Sequence, residues 1–183
     1  MKRTKIKQLF LEQKEGSVLV YAWVRTNRAQ AQFGFLNIND GSTLANLQVV
    51  YDTKLPNFEE ISKFRVGVSV LVKGNVILTP NAKQPLEVHA EEVVMLGDCP
   101  EDYPIQPKRH TREFLRENAH LRARTNLFNA VFRVRSVAAM AVHSYFQGQG
   151  YVYVHTPLIT CADCEGSDQM FKITTLNFNK LPL

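Results

Sequence analysis

Apolar and polar residues follow a β-type pattern through residues 17–96. The segments SVLVYAWVRT (from Ser17), FGFLNIND (from Phe33) and TLANLQVVYD (from Thr43) are rich in valine and aromatic residues, and each favours a strand. Between the last two, the sequence DGS predicts a turn. VSVLVKGNVIL (from Val68) and PLEVHAEEVVML (from Pro85) add two more strands. Five strands are therefore expected.

Helical spacing predicts the other elements. The N-terminus predicts a short helix over residues 4–13, with Thr4 as N-cap and Ile6, Leu9 and Phe10 on one face. LPNFEEISKFRVG predicts a second short helix between the third and fourth strands, ending near Gly67. The mixture of five strands and one inserted helix is typical of the OB-fold, a small barrel that binds oligonucleotides on its strand 2–3 face. An SH3-like barrel is the alternative, but it usually lacks the helix.

The second half of the chain predicts a different architecture. Residues 99–110 contain three prolines and no periodicity, which indicates a linker between a barrel domain (1–98) and a second domain (111–183). A short basic helix capped by Thr111 and a long helix follow, and Gly148 or Gly150 can end the long helix. Its apolar residues recur at three- and four-residue steps: Leu127, Val131, Val134, Ala138, Val142 and Tyr145. YVYVHTPLIT then predicts a strand that ends at a Thr-Pro pair.

The positive charge is concentrated in one region. The whole chain carries +5, and residues 104–135 alone hold eight Lys/Arg against two Glu. A basic segment of this kind suggests an anionic partner, most often nucleic acid, although a solvated helix face gives the same count.

Composition places the chain among cytoplasmic globular proteins. No apolar run is long enough for a membrane span, and the N-terminus lacks the features of a signal peptide. Three cysteines are too few for a disulfide framework. Cys161 and Cys164 form a C-x-x-C pair, but zinc needs two more ligands and a redox pair needs a thioredoxin-type helix start, so reduced thiols are expected.

Strand alternation predicts a nucleotide-binding face on the barrel. Phe33, Phe35 and Asn37 share one face of the second strand, while Leu36 and Ile38 on the opposite face supply core. Two aromatic rings on an outer face suit stacking of unpaired bases, each worth roughly 1–3 kcal/mol. The alternative is that one phenylalanine completes the barrel floor.

Polar residues near this face extend the hypothesis. Gln48 on the third strand is placed to recognise a base edge or is merely exposed, and Arg25 and Arg28 are placed to pair with phosphate. Trp23, between Ala22 and Val24, is expected in the barrel core. His89 and His143 are expected to be structural.

The order of these elements resembles the asparaginyl-tRNA synthetases, a family of class II enzymes related to the aspartyl and lysyl enzymes. The most specific parts are RHTREFLRENAHLRARTNLFNAVFRVRS and VYVHTPLITCADCEG. The resemblance implies that Phe35 stacks on the central anticodon uracil, that Gln48 recognises it and that Arg28 contacts the anticodon. It implies that Glu165 holds the amino group of the amino acid. It also identifies the long helix and following strand as class II motif 1, whose Pro157 packs across a homodimer.

The resemblance implies a two-step ligase reaction. Asparagine and Mg²⁺-ATP form asparaginyl-adenylate, and the acyl group passes to tRNA-Asn. The arginine-bearing motifs 2 and 3 lie beyond residue 183 in this family, so these residues alone are expected to be an incomplete catalytic domain, to bind ATP and Mg²⁺ poorly and to form no adenylate. Ser167, Asp168 and Gln169 depart from the family pattern near the amino acid. An aspartyl enzyme, a non-catalytic OB module that binds tRNA or single strands, and a structural or interaction protein stay open as alternatives.

Overall fold

The computed structural model describes residues 2–82, 84–159 and 175. Its strands are β1 (Gly16–Ala29), β2 (Phe33–Asn39), β3 (Leu47–Asp52), β4 (Ser69–Leu78) and β5 (Leu86–Gly97). Its α-helices are α1 (Ile6–Glu12), α2 (Phe58–Ser62), α3 (Arg112–Glu117) and α4 (Asn126–Gly148), and a 3₁₀ turn covers Arg122–Arg124. The chain divides into two compact units, Met1–Ala138 and Ala139–Leu183. No helix within residues 2–82 and 84–159 has the length and apolarity of a membrane span.

The five strands close into a barrel in the order β1-β2-β3-β5-β4. Neighbouring strands are antiparallel except β3 and β5, which are parallel. Closure removes the exposed strand edges that five strands would have as an open sheet. The predicted OB-fold barrel is confirmed, and α2 lies between β3 and β4 as expected.

The barrel core follows the predicted alternation. Alternate residues are buried along β2, β3 and most of β1 and β4, among them Val20, Leu36 and Val49. Two helices add one fully buried residue each to the same core, Ile6 from α1 and Ile61 from α2. Sequence patterning was sufficient to predict this core, because a strand with apolar residues at every second position has only one face to bury.

Helix α1 begins differently from the expectation. Thr4 does not cap it: the N-cap position falls on Lys5, which makes no side-chain capping bond, and the Thr4 backbone N–H donates to the carbonyl of Leu19 in β1 (2.8 Å). Asp40, in the turn after β2, takes the capping role: its Oδ2 accepts from the Ile6 N–H (3.0 Å). A carboxylate from a distant turn thus satisfies a free N–H of the first helical turn. Thr111 caps α3 as predicted, accepting from the Phe114 N–H (3.2 Å).

Two further expectations are corrected. Trp23 is not in the core: Ala22 and Val24 point inward, so alternation places the Trp23 ring on the outer surface, 38% exposed. Helix α4 ends at Gly148 as predicted, but residues 151–157 form no strand within the described part of the chain. A strand needs a neighbouring strand for its backbone hydrogen bonds, and none pairs with this segment there.

Candidate nucleic-acid interface

The outer face of β1, β2 and β3 brings three predicted residues together. Strand register sets Arg28 of β1 opposite Phe35 of β2, and Phe35 opposite Val50 of β3. Two pairs further along, and so on the same face, Gln48 lies opposite Asn37. Arg28, Phe35 and Gln48 therefore occupy one continuous surface, which we call the β2 face together with Phe33 and Asn37.

The β2 face presents two aromatic rings outside the core. Phe35 is half-buried and Phe33 is 37% exposed. Their ring centroids are 5.4 Å apart and their planes lie at 89°, an edge-to-face pair. Leu36 and Ile38, on the opposite side of the strand, are fully buried. The ring of Phe35 is thus held by its neighbour and remains accessible at the surface.

Gly34 fixes how β2 sits on the core. A Cβ atom at this position would lie 2.2 Å from Cζ of Tyr51, so only glycine allows the tyrosine ring to pass beneath. The buried Tyr51 hydroxyl donates to Oδ1 of Asn27 (2.8 Å), and Nδ2 of Asn27 donates to the carbonyls of Ile61 (2.7 Å) and Phe64 (3.2 Å). Burial raises the pKa of Tyr51. These contacts tie three strands and α2 together directly behind the aromatic pair.

Glu87 is a residue that the sequence analysis missed. Gln48 Nε2 donates to Glu87 Oε2 (2.9 Å), and Glu87 Oε1 lies 2.9 Å from Nε2 of His89. These contacts orient the Gln48 amide, because its nitrogen is bound to a carboxylate while its carbonyl oxygen remains an acceptor. His89 is exposed on the surface, contrary to the structural role expected for it. The parallel β3–β5 pairing supplies this proximity, which no local sequence signal indicates.

Asn37 carries an unpaired acceptor in the same region. Its Nδ2 donates to Oγ1 of Thr26 (3.0 Å), whereas its Oδ1 is buried without a hydrogen-bond partner. Buried polar atoms are nearly always paired, so this oxygen is an exception beside the β2 face.

Arg25 belongs to a different surface from the one expected. A register shift between Val24 and Thr26 breaks the alternation of β1, and Arg25 turns away from the β2 face to donate to the carbonyl of Arg124. Burial, together with the nearby charge of Arg124, lowers its pKa.

The remaining predicted residues fall elsewhere. Pro157 is exposed in the unit Ala139–Leu183. In that unit, Val142 and Tyr145 of α4 are more than half exposed, and the ring of Phe146 packs edge-on against Tyr151. Glu165, Cys161 and Cys164 lie outside the described residues.

Two family models match the chain. Residues 18–96 match an OB-fold nucleic-acid-binding domain of the tRNA anticodon-binding type, and residues 111–182 match the class II tRNA synthetases of the D, K and N group.

Several relatives match over nearly all of the chain. The asparagine–tRNA ligase of Clostridium tetani is 50% identical, with all of this chain and 40% of the relative covered. The asparagine–tRNA ligase of Acholeplasma laidlawii is 56% identical over 90% of this chain and 36% of the relative. The chain thus spans about two fifths of the length of the curated relatives it matches.

Solved structures of tRNA synthetases also match the chain. The asparaginyl-tRNA synthetase from Pyrococcus horikoshii, complexed with asparaginyl-adenylate, is 25% identical with a TM-score of 0.83, covering 98% of this chain and 42% of that one. The aspartyl-tRNA synthetase from Entamoeba histolytica (20% identity, TM-score 0.68, 86% and 39% covered) shares the fold. The chain therefore combines an OB-fold segment of the tRNA anticodon-binding type with a segment of the class II tRNA synthetases of the D, K and N group, and over its length it is similar to asparagine–tRNA ligases.

Proposed function

We propose that the barrel binds the anticodon loop of tRNA-Asn through the β2 face. The observation that carries the proposal is the placement of Arg28, Phe35 and Gln48 on one outer surface by strand register. An exposed aromatic ring stacks on an unpaired base, an oriented amide hydrogen-bonds to a base edge, and an arginine neutralises a phosphate. All three are contact types that proteins use to recognise single-stranded nucleic acid.

We propose further that the chain is part of an asparagine–tRNA ligase, which uses ATP to activate asparagine and then charges tRNA-Asn. The relatives that match the whole chain carry this name, and the Pyrococcus horikoshii structure holds asparaginyl-adenylate. The cytoplasmic location expected from the sequence and the domain bounds 1–98, 99–110 and 111–183 belong to this proposal. So does Glu165 as the residue that holds the amino group.

Mg²⁺ would accompany ATP in this reaction. The described residues contain no group of three or more His, Cys, Asp or Glu side chains able to hold a metal ion. We therefore assign no Mg²⁺ ligand within this part of the chain.

We also propose that α4 and Pro157 contribute to a homodimer. Apolar side chains along α4, including Val134 and Val142, are more than half exposed. Apolar residues that recur at helical spacing and remain exposed mark a surface for association.

Binding of an anticodon stem-loop tests the first proposal. We expect Phe35→Ala to cost roughly 1–3 kcal/mol of binding free energy, because one base loses its stacking partner. Tyr21→Ala is the matched control, since Tyr21 is a half-buried aromatic residue on the part of β1 that pairs with β4. Isothermal titration of both variants with the stem-loop and with the same stem-loop carrying an abasic central position makes the comparison.

Two outcomes are informative. If Phe35 stacks on the central base, the wild-type chain loses affinity for the abasic stem-loop, and the Phe35→Ala variant loses little more. Equal affinities of wild type and Phe35→Ala for the intact stem-loop would refute the proposed stacking.

A further inference from the structure

A cavity of about 450 Å³ lies in the unit Met1–Ala138, at the opposite end of β2 from Phe33 and Phe35. Three arginines from three separate elements line it: Arg25 of β1, Arg124 of the 3₁₀ turn and Arg133 of α4. Trp23 also lines it, and the guanidinium carbon of Arg124 lies 4.5 Å from the centre of the Trp23 ring. No carboxylate side chain is among the described residues that line the cavity.

The described partners of these arginines are all neutral. Arg25 donates to the carbonyl of Arg124. Arg133 donates to the carbonyl of Gly41 and, through Nε, to Oδ1 of Asn129 (2.7 Å). Arg124 rests on the Trp23 ring and hydrogen-bonds to the side chain of Tyr103. Each guanidinium carries five N–H donors, so these bonds leave donors for a further ligand.

Three acidic residues close in sequence to the cavity walls are engaged elsewhere, and a fourth, Asp102 beside Tyr103, is exposed and does not line the cavity. Asp40 precedes Gly41, but its carboxylate accepts from the Ile6 N–H and from Ser42. On the linker, Asp98 and Glu101 both pair with Arg65. Within the described residues, none of the three arginines lies within ion-pair distance of a carboxylate.

Three like charges around one cavity carry an electrostatic cost. Arg25 is half-buried, and burial and the Arg124 charge both lower its pKa, so the charged form pays for desolvation and for repulsion. An anion between the guanidinium groups removes this cost and uses their remaining donors. Planar guanidinium forks match phosphate oxygens in pairs, and a phosphate offers more charge and more acceptors than a carboxylate.

We propose that this cavity binds a phosphate group, held between Arg25, Arg124 and Arg133. The group belongs either to free phosphate, inorganic or on a nucleotide, or to the backbone of a nucleic acid. Either source presents the same oxygens to the same three side chains. The site does not depend on the β2 face, so it stands or falls separately from anticodon binding.

Trp23 supplies the measurement, because it is the one tryptophan in the sequence and it lines the cavity. The 183-residue chain is titrated with sodium phosphate at constant ionic strength while tryptophan fluorescence is followed, with chloride and acetate as reference salts. We expect a saturable change with phosphate only. Arg133→Gln should weaken phosphate binding at least about tenfold, because it removes a charged hydrogen-bond donor.

Arg135→Gln is the matched control, since Arg135 lies two residues further along α4, on a different side of the helix, and does not line the cavity. It should leave phosphate affinity unchanged. Arg133→Lys keeps the charge and a donor to the Gly41 carbonyl but loses the planar fork, so an intermediate affinity is expected. Unfolding curves identify any variant whose fold is damaged.

Binding of intact tRNA separates the two sources. If a backbone phosphate is the ligand, phosphate competes with tRNA, and Arg133→Gln reduces the salt dependence of tRNA binding by about one charge while binding of the anticodon stem-loop is unchanged. If free phosphate is the ligand, tRNA binding does not change in the variant. A fluorescence change that does not saturate, that chloride or acetate reproduces, or that Arg133→Gln and Arg135→Gln share would overturn the proposal.

Discussion

Gln48 is oriented by a residue far from it in sequence. Its amide nitrogen donates to Glu87, and the same carboxylate contacts His89. An amide held in this way presents one fixed polarity to a ligand, whereas a free glutamine side chain would lose rotamer entropy on binding. The contact with Glu87 therefore pre-organises the proposed base-recognition residue.

Exchanging the Gln48 amide and the Glu87 carboxylate distinguishes the effect of this pair on stability from the role of Gln48 in base recognition. Gln48→Glu alone places two carboxylates about one hydrogen-bond length apart, so we expect lower stability and weaker stem-loop binding. Adding Glu87→Gln restores a donor–acceptor pair with reversed polarity, and the free energy of unfolding should recover. Stem-loop affinity should stay weak, by roughly 1.5–3 kcal/mol, because the base now faces a carboxylate.

Urea unfolding and stem-loop titration of the wild type, both single variants and the double variant provide the comparison. Glu87→Gln alone serves as the control for loss of the carboxylate. If the double variant binds as tightly as the wild type, the Gln48 amide is not what recognises the base.

At the scale of elements, buried and outward-facing residues alternate along the barrel strands, and the buried position at Gly34 has no room for a side chain. Gly34 falls on the buried side of β2 between Phe33 and Phe35, where the Tyr51 ring occupies the space that a side chain would need. The phenylalanines thus project from a segment of strand that is packed tightly on its inner side. Close packing behind a binding face restricts movement of the residues on it.

Gly34→Ala is expected to destabilise the barrel by at least about 1–3 kcal/mol, since the new methyl group overlaps a buried ring and the core must shift. Gly97→Ala is the control: a Cβ there meets only Ser69 Cβ at 3.9 Å, and the change should stay within about 0.5 kcal/mol. Chemical denaturation of both variants measures the difference. Equal stabilities would show that the Tyr51 ring moves aside at little cost.

Local patterning was sufficient for the barrel strands and the helices, but it was insufficient for the strand expected from residue 151 and for tertiary contacts. Alternation predicted that Phe35 faces outward while Leu36 faces the core, and the structure agrees. The same rule, applied consistently, would have placed Trp23 outside, since both of its neighbours face inward. Glu87 beside Gln48 and Asp40 at the start of α1 depend on pairings across 39 and 34 residues, which carry no local signal.

At the scale of the molecule, α4 has two different sides. Asn129, Arg133 and Ser136 line the arginine cavity. Val134 and Val142 lie on another side of the helix and are 67% and 57% exposed. One side of the helix thus lines a cavity of its own chain, while its apolar side is exposed among the described residues.

We expect the doubly substituted chain Val134→Asp/Val142→Asp to be monomeric at concentrations where the wild-type chain dimerises, because two carboxylates would have to be desolvated at the contact. Multi-angle light scattering distinguishes the 20.9 kDa chain from a species of twice that mass. Ser144→Asp adds a charge to an exposed position outside the apolar stripe and should leave the dimer intact. Stem-loop affinity should be equal in all three proteins, because the β2 face lies on the barrel. A wild-type chain that stays monomeric throughout, or a double variant that still dimerises, would remove α4 from the proposed interface.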